Sequence, residues 1–98
     1  MSISTDMVED SLRINLHNNF QFAQHTEFRE SYENVKQVRR YILDFSKVTH
    51  VDSSSLGMLL LLKEHAGGEK ARITFVNCNK NIRKILRIAN FQQEFDIA

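Results

Sequence analysis

The stretch that decides the fold is YILDFSKVTHVDSSSLG, residues 41–57. Residues 41–45 are almost continuously apolar and strand-favouring, which is typical of a central strand covered on both sides. Near the end of this stretch lie Asp52 to Ser55, whose side-chain oxygens can cap a helix N-terminus. The helix-favouring residues 56–65 follow them. The sequence therefore predicts a strand, a loop and the start of a helix.

Periodicity predicts further elements on both sides of this stretch. Apolar and polar residues alternate over 12–17, which indicates a strand with one wet face that pairs with residues 3–8 in a hairpin. Amphipathic spacing predicts helices over 22–35 and 80–89.

Gly67 and Gly68 end the middle helix, and residues 72–77 have the apolar pattern of another strand. Phe91 and Phe95 are expected to pack back on the core. Two strands followed by alternating helices and strands predict an α/β sandwich with a mixed sheet, parallel wherever a helix makes the crossover.

Bulk properties limit the function classes. The chain has 98 residues, which is enough for a single domain over 1–98 and too few for two cores. The net charge of +1 gives no general attraction to nucleic acid or to an anionic membrane. The longest apolar run, residues 58–62, is far shorter than the roughly 20 residues that span a bilayer.

The residues that usually carry chemistry are sparse. The single cysteine cannot close an intrachain disulfide, and no secretory signal is recognisable, so we expect a cytoplasmic protein. The histidines show no metal-ligand spacing, and no phosphate loop or nucleophile elbow is present. We therefore expect a protein that is not an enzyme and that has no metal or other cofactor.

The serine run is the most informative feature for function. A helix start offers unpaired N–H groups and the positive end of the helix dipole, so it can hold an anion or a phosphoserine. The alternative is that Asp52 to Ser55 only cap the helix.

Residues 41–57 resemble the signature of the STAS family, in its anti-sigma factor antagonist type. That signature is a hydrophobic strand ending in Asp-Leu-Ser, a valine spacer and then Asp-Ser-Ser-Gly-Leu-Gly. The matching positions are Asp44, Ser46, Val48, Asp52, Ser53, Ser54, Leu56 and Gly57. The resemblance implies a STAS-like sandwich with a mixed sheet and helices packed mainly on one side.

The resemblance also implies a mechanism, namely partner switching in bacterial transcription regulation. The second serine of the pair is the phosphoacceptor, which corresponds to Ser54, with Ser53 and Ser55 as alternatives. A serine kinase or anti-sigma factor with the histidine-kinase-type ATPase fold is the implied partner, and a magnesium- or manganese-dependent serine phosphatase removes the phosphate. The unphosphorylated form binds and the phosphorylated form is released.

Two positions depart from the family pattern. Ser55 stands where the family usually has glycine, and residues 18–21 replace a Gly-Glu-Leu-Asp turn that often helps to contact the partner. The resemblance leaves open whether the protein controls a sigma factor or another effector. A second class of function is a constitutive STAS subunit of a larger complex, such as a lipid-transport assembly, in which the serines are only a cap.

The middle helix is apolar almost all round, which is more than one core-facing stripe requires. At helical spacing Met58 and Leu61 lie on the line of Ser54, and Leu56, Leu59 and Leu60 form the candidate core stripe. Gly57 would leave room for close approach. The predicted partner-binding residues are Asp52, Ser53, Ser54, Ser55, Gly57, Met58 and Leu61.

Overall fold

The computed structural model describes residues 3–98, and its main feature is a five-stranded sheet in the order β1-β2-β4-β6-β7. β1 and β2 are antiparallel, and the other neighbouring pairs are parallel. β3 and β5 form a separate two-stranded parallel sheet. The strands are β1 Ser4–Val8, β2 Ser11–Asn15, β3 Asn19–Phe20, β4 Arg40–Asp44, β5 His50–Val51, β6 Ile73–Val76 and β7 Asp96–Ile97. The mixed α/β sheet and its hairpin confirm the predicted fold class.

Three α-helices complete the fold: α1 His25–Tyr32, α2 Ser53–His65 and α3 Lys80–Ile88. The first is shorter than the predicted helix over 22–35, because residues 22–24 form a 3₁₀ turn and the helix ends at Tyr32. α2 is capped at its end by Ala66, after which Gly67 takes the left-handed φ of 116°. This glycine therefore ends α2 as predicted.

The hydrophobic core lies on one face of the sheet. Along β4, Tyr41 and Leu43 are buried while Ile42 and Asp44 are only half-buried. The register places Ile42 beside Arg13 of β2 and Thr74 of β6 on the open face. The expectation that this strand is covered on both sides is therefore wrong, and the helices pack on the other face in a single core cluster.

The carboxyl-terminal segment packs back on this core, as predicted. Phe91 and Phe95 are buried, and the rings of Phe75 and Phe95 stack with centroids 4.6 Å apart. No pattern in the sequence predicts β7, which extends the sheet by pairing in parallel with β6.

Candidate functional site

The candidate site is the amino-terminal end of α2, which follows directly from the small β3–β5 sheet. The segment before α2 is held by backbone hydrogen bonds, since the Thr49 and His50 N–H groups donate to the Asn18 carbonyl at 2.9 and 3.2 Å. β5 then leads to Asp52, the N-cap of α2. The start of α2 is therefore fixed against residues 18–20.

A capping box formed by Asp52 and Ser55 begins the helix. The Asp52 carboxylate accepts from the Ser55 backbone N–H at 2.9 Å, and the Ser55 hydroxyl oxygen accepts from the Asp52 backbone N–H at 3.0 Å. The Ser55 hydroxyl in turn donates to the Phe20 carbonyl. Ser55 is completely buried, so it joins the helix to the β3 strand.

The three serines that are alternative phosphoacceptors in the sequence analysis have different surroundings in the structure. α2 begins at Ser53 rather than at residue 56, so all three are helical. Ser53 is exposed and Ser54 is partly exposed. Within residues 3–98, the Ser53 and Ser54 hydroxyls form no hydrogen bond, whereas the Ser55 hydroxyl is buried and bonded to the Phe20 carbonyl. The hydroxyls of Ser53 and Ser54 are therefore more accessible than that of Ser55.

The site carries a negative charge of its own. The pKa of Asp52 lies below its usual value mainly because the Ser55 backbone N–H donates to the carboxylate. Burial opposes this shift, and the Ser55 hydroxyl, the Ser54 backbone N–H and His50 add to it. Asp52 is therefore ionised at neutral pH and already occupies the cap.

The structure corrects the predicted division of α2 into a core face and a partner face. The buried residues are Ser55, Met58, Leu59 and Leu62, which follow the i, i+3, i+4 and i+7 spacing of one stripe. Met58 was predicted to face a partner but is 6% exposed. Leu60 was predicted to face the core but is 42% exposed.

Met58 is buried because α1 packs over it. Together with Phe28 and Tyr32 of α1 it lines a cavity of about 50 Å³ between the two helices. Gly57 and Leu61, by contrast, are on the surface, and Leu61 is 65% exposed. Of the predicted partner-binding residues beyond the serine run, these two are accessible.

An aromatic neighbour of this surface was missed in the sequence. Phe22 is 60% exposed and stacks on the His25 ring with centroids 4.3 Å apart. His25 and Leu61 both line the cavity between α1 and α2. Residue 22 was assigned to a helix whose apolar side should face the core, so the pattern gave no sign of its exposure.

Three further observations concern the cysteine, metal-binding side chains and membrane spans. Burial raises the pKa of the Cys78 thiol to about 11, with Asp44 adding to the shift and Arg83 opposing it. This thiol is therefore protonated at neutral pH. In the described chain, residues 3–98, no group of three or more metal-binding side chains comes together, and no helix has the length and apolar character needed to cross a bilayer.

Known proteins share this architecture. A STAS-domain containing protein of Pseudomonas aeruginosa (strain UCBPP-PA14) is 50% identical over 88 residues, 89% of this chain and 87% of that protein. The anti-sigma factor antagonist SpoIIAA in its unphosphorylated form is 19% identical with a TM-score of 0.77, covering 99% of this chain and 87% of that one. A sulfate transporter family protein from Wolinella succinogenes is 10% identical with a TM-score of 0.77, covering 93% and 80%.

At identities of 19% and 10% the two solved structures show a common fold. The family itself is shown by sequence, because the family described as "Mlab, STAS domain" matches residues 3–97. That match spans all but the first two and the last residue of the chain. The chain therefore belongs to the STAS domain family.

Proposed function

We propose that this chain is a phosphorylation-controlled protein-binding regulator of the anti-sigma factor antagonist kind, and that it acts in the cytoplasm. Its unphosphorylated form binds a partner with the amino-terminal end of α2, and phosphorylation of Ser54 releases that partner. The observation that supports this function is the difference between the serines. Ser54 is partly exposed beside the N-cap, whereas the Ser55 hydroxyl is buried and hydrogen-bonded within the capping box.

The modification itself is a phosphoryl transfer. A serine kinase moves the γ-phosphoryl group of ATP to the Ser54 oxygen, which loses its proton, and ADP leaves. A phosphatase of the magnesium- or manganese-dependent type hydrolyses the phosphoserine to serine and inorganic phosphate. The kinase is itself the proposed partner, with the histidine-kinase-type ATPase fold that the family resemblance implies.

Electrostatics explain why the modified protein would release its partner. A phosphate adds roughly 1.5 to 2 negative charges at neutral pH. The Asp52 carboxylate caps α2 by accepting the Ser55 backbone N–H, so a phosphate on Ser54 would lie beside that carboxylate. A partner packed over this end would have to desolvate both anions or supply cations for them. The helix dipole favours negative charge here, so the fold itself is retained.

The binding surface would extend from Ser54 along the exposed side of α2. Gly57 is one turn away, and nothing lies within 4 Å of a Cβ added there, so a partner can approach the helix backbone. Leu61 is two turns away and supplies an exposed apolar contact. Phe22 stacks on His25, which lines the cavity between α1 and α2 together with Leu61, so Phe22 would extend the same surface.

A second candidate function is a constitutive structural subunit of a larger complex such as a lipid-transport assembly. The observation that favours it is the family description, "Mlab, STAS domain". In that case Asp52 and Ser55 are a helix cap and Ser54 is not modified.

The test compares Ser54→Ala, Ser54→Asp and the matched control Ser53→Asp as baits for proteins from the source cells, together with phosphate mapping of the native protein. We expect phosphate on Ser54, and a partner that is retained by Ser54→Ala and Ser53→Asp but lost by Ser54→Asp. Leu61→Lys should weaken the same complex more than Leu60→Lys.

A partner captured equally by Ser54→Ala and Ser54→Asp, with no phosphate on the native protein, would favour the constitutive subunit. Phosphate on Ser53 alone would move the switch to that residue and contradict the assignment of Ser54.

A further inference from the structure

The third helix, α3, presents a row of cations to solvent. Its nine residues pack on the core through Ile82 and Leu86, which are both fully buried. On the opposite side, four exposed cations follow the i, i+3, i+4 and i+7 spacing of one helical face. We call this face the basic stripe, and its members are Lys80, Arg83, Lys84 and Arg87.

The charge of the basic stripe is not balanced by its surroundings. α3 contains four of the 13 basic residues of the chain and none of the 12 acidic ones, so it carries +4 while the rest of the chain carries −3. Among residues 3–98, Lys80, Lys84 and Arg87 form no ion pair. Arg83 donates to the Ala98 main-chain oxygen at 2.9 Å. Three of the four cations are therefore available to a partner.

The backbone beneath the basic stripe is held in place before any partner arrives. The Asn79 side-chain oxygen accepts from the Ile82 N–H at 2.8 Å, and the Asn79 amide group donates to the Val48 carbonyl at 3.2 Å. At the other end, the Ala89 N–H donates to the Ile85 carbonyl at 3.2 Å. Binding would therefore order side chains but little backbone, which keeps its entropic cost low.

An exposed apolar side chain lies beside these cations. Ile88 is 74% exposed and follows Lys84 by one helical turn. A surface that combines cations with an apolar side chain offers a protein partner both ion pairs and a hydrophobic contact. The basic stripe extends over about 10 Å from Lys80 to Arg87, which corresponds to two turns of a partner helix.

We propose that the basic stripe binds a partner protein through an acidic helix of that partner. The carboxylates of the partner helix repeat at the spacing of the stripe and pair with Lys80, Lys84 and Arg87. An apolar residue beside them contacts Ile88. The inference goes beyond the switch at Ser54, because none of these residues belongs to the surface proposed around α2, and either proposal can fail without the other.

The charge distribution favours a helix over a larger polyanion. An anionic membrane or a nucleic-acid duplex would also meet the rest of the chain, whose net charge is −3. A helix is about 10 Å wide, so it can contact the basic stripe alone. α3 has no apolar face free to enter a membrane either, because Ile82 and Leu86 lie in the core.

Fluorescence anisotropy at low salt tests this surface with the full chain and a labelled synthetic helix. The probe is an alanine-based peptide of about 20 residues, which is long enough to be helical in water. Its glutamates stand at i, i+3, i+4 and i+7, with a leucine beside them. The control peptide has the same composition, with the glutamates distributed around the helix. The wild-type chain should bind the striped peptide about fivefold or more tightly than the control peptide.

Two double variants with the same change in net charge locate the binding surface. Lys80→Glu/Lys84→Glu should lose about tenfold or more in affinity for the striped peptide. The matched control, Lys36→Glu/Lys70→Glu, lies at exposed positions outside α3 and should bind within about threefold of the wild type. Ile88→Ser should weaken binding by a similar factor at each salt concentration, because its contact is not ionic.

Circular dichroism shows that each variant is folded before affinities are compared. Equal binding of the two peptides, or equal losses in the two double variants, would reduce the effect to net charge and overturn the proposal. A wild-type chain that does not bind the striped peptide would overturn it as well. Vesicles of phosphatidylcholine with phosphatidylserine and a short DNA duplex are the competing ligands. Tighter binding of either one, lost in Lys80→Glu/Lys84→Glu, would assign the basic stripe to that polyanion instead.

Discussion

The buried Ser55 hydroxyl gives the sharpest test of how the start of α2 is held. Ser55→Ala removes the donor to the Phe20 carbonyl and the acceptor of the Asp52 backbone N–H. A buried polar group that loses its partner costs about 1–3 kcal/mol, and here two groups lose theirs. Because Asp52 lies nearer the surface, we expect a loss of about 3 kcal/mol in the free energy of unfolding rather than the sum of two full penalties.

Urea unfolding followed by circular dichroism measures this loss, with Ser53→Ala as the control in the same helical turn. The exposed Ser53 should change the free energy of unfolding by no more than about 0.5 kcal/mol. In thermal unfolding, Ser55→Ala should lower Tm by about 12–24 °C for a domain of this size. If the two variants unfold at the same urea concentration, the joint between α2 and β3 does not stabilise the fold.

Two further predictions concern the pH dependence of stability and the glycines within and just after α2. Burial raises the pKa of the Asp44 carboxyl, but the Ser46 backbone N–H and the Arg13 side chain outweigh it and lower the pKa from 3.8 to about 2. The pKa of Asp44 is lower in the folded than in the unfolded protein, so its carboxylate stabilises the fold at neutral pH by about 2 kcal/mol. That stability is lost as the pH falls from about 4 to about 2. Asp44→Asn should therefore flatten the dependence of the free energy of unfolding on pH over this range. Gly57→Ala, at an open helical position, should raise the free energy of unfolding by about 1 kcal/mol, and Gly67→Ala, at a φ of 116°, should lower it by about 1 kcal/mol or more. Urea unfolding of both variants checks the opposite signs, and two changes of the same sign would contradict the helix boundary.

The order of the longer helices and strands could be predicted because each carries its own sequence pattern, whereas the two-residue strands β3, β5 and β7 are too short to show one. The faces of those elements could not, since they depend on neighbours that come from elsewhere in the chain. Ile42 looks like a core residue within its own strand. Its partners across the sheet are Arg13 and Thr74, which belong to an open face, so Ile42 is only half-buried.

The face of α2 was mispredicted for a related reason. Leucines surround the helix, so hydrophobicity alone does not select one stripe. The buried stripe includes Ser55, a polar residue whose burial depends on the Phe20 carbonyl 35 positions away. With Ser55 in the stripe, the spacing leads to Met58, Leu59 and Leu62. Without it, Leu56, Leu59 and Leu60 form the candidate core stripe that the sequence analysis chose.

The geometry of the cap bears directly on how a phosphate would act. To accept the first N–H groups of α2, a phosphate on Ser54 would have to displace Asp52, and Asp52 is tied to Ser55 and through it to Phe20. The cap therefore resists rearrangement, and the added charge would stay on the surface that we propose binds a partner. α2 has 13 residues, so its two ends are separated by about 20 Å, which exceeds the Debye length of about 10 Å at 0.1 M salt. A charge added at Ser54 would therefore act near the amino-terminal end of α2 and have little effect at its far end.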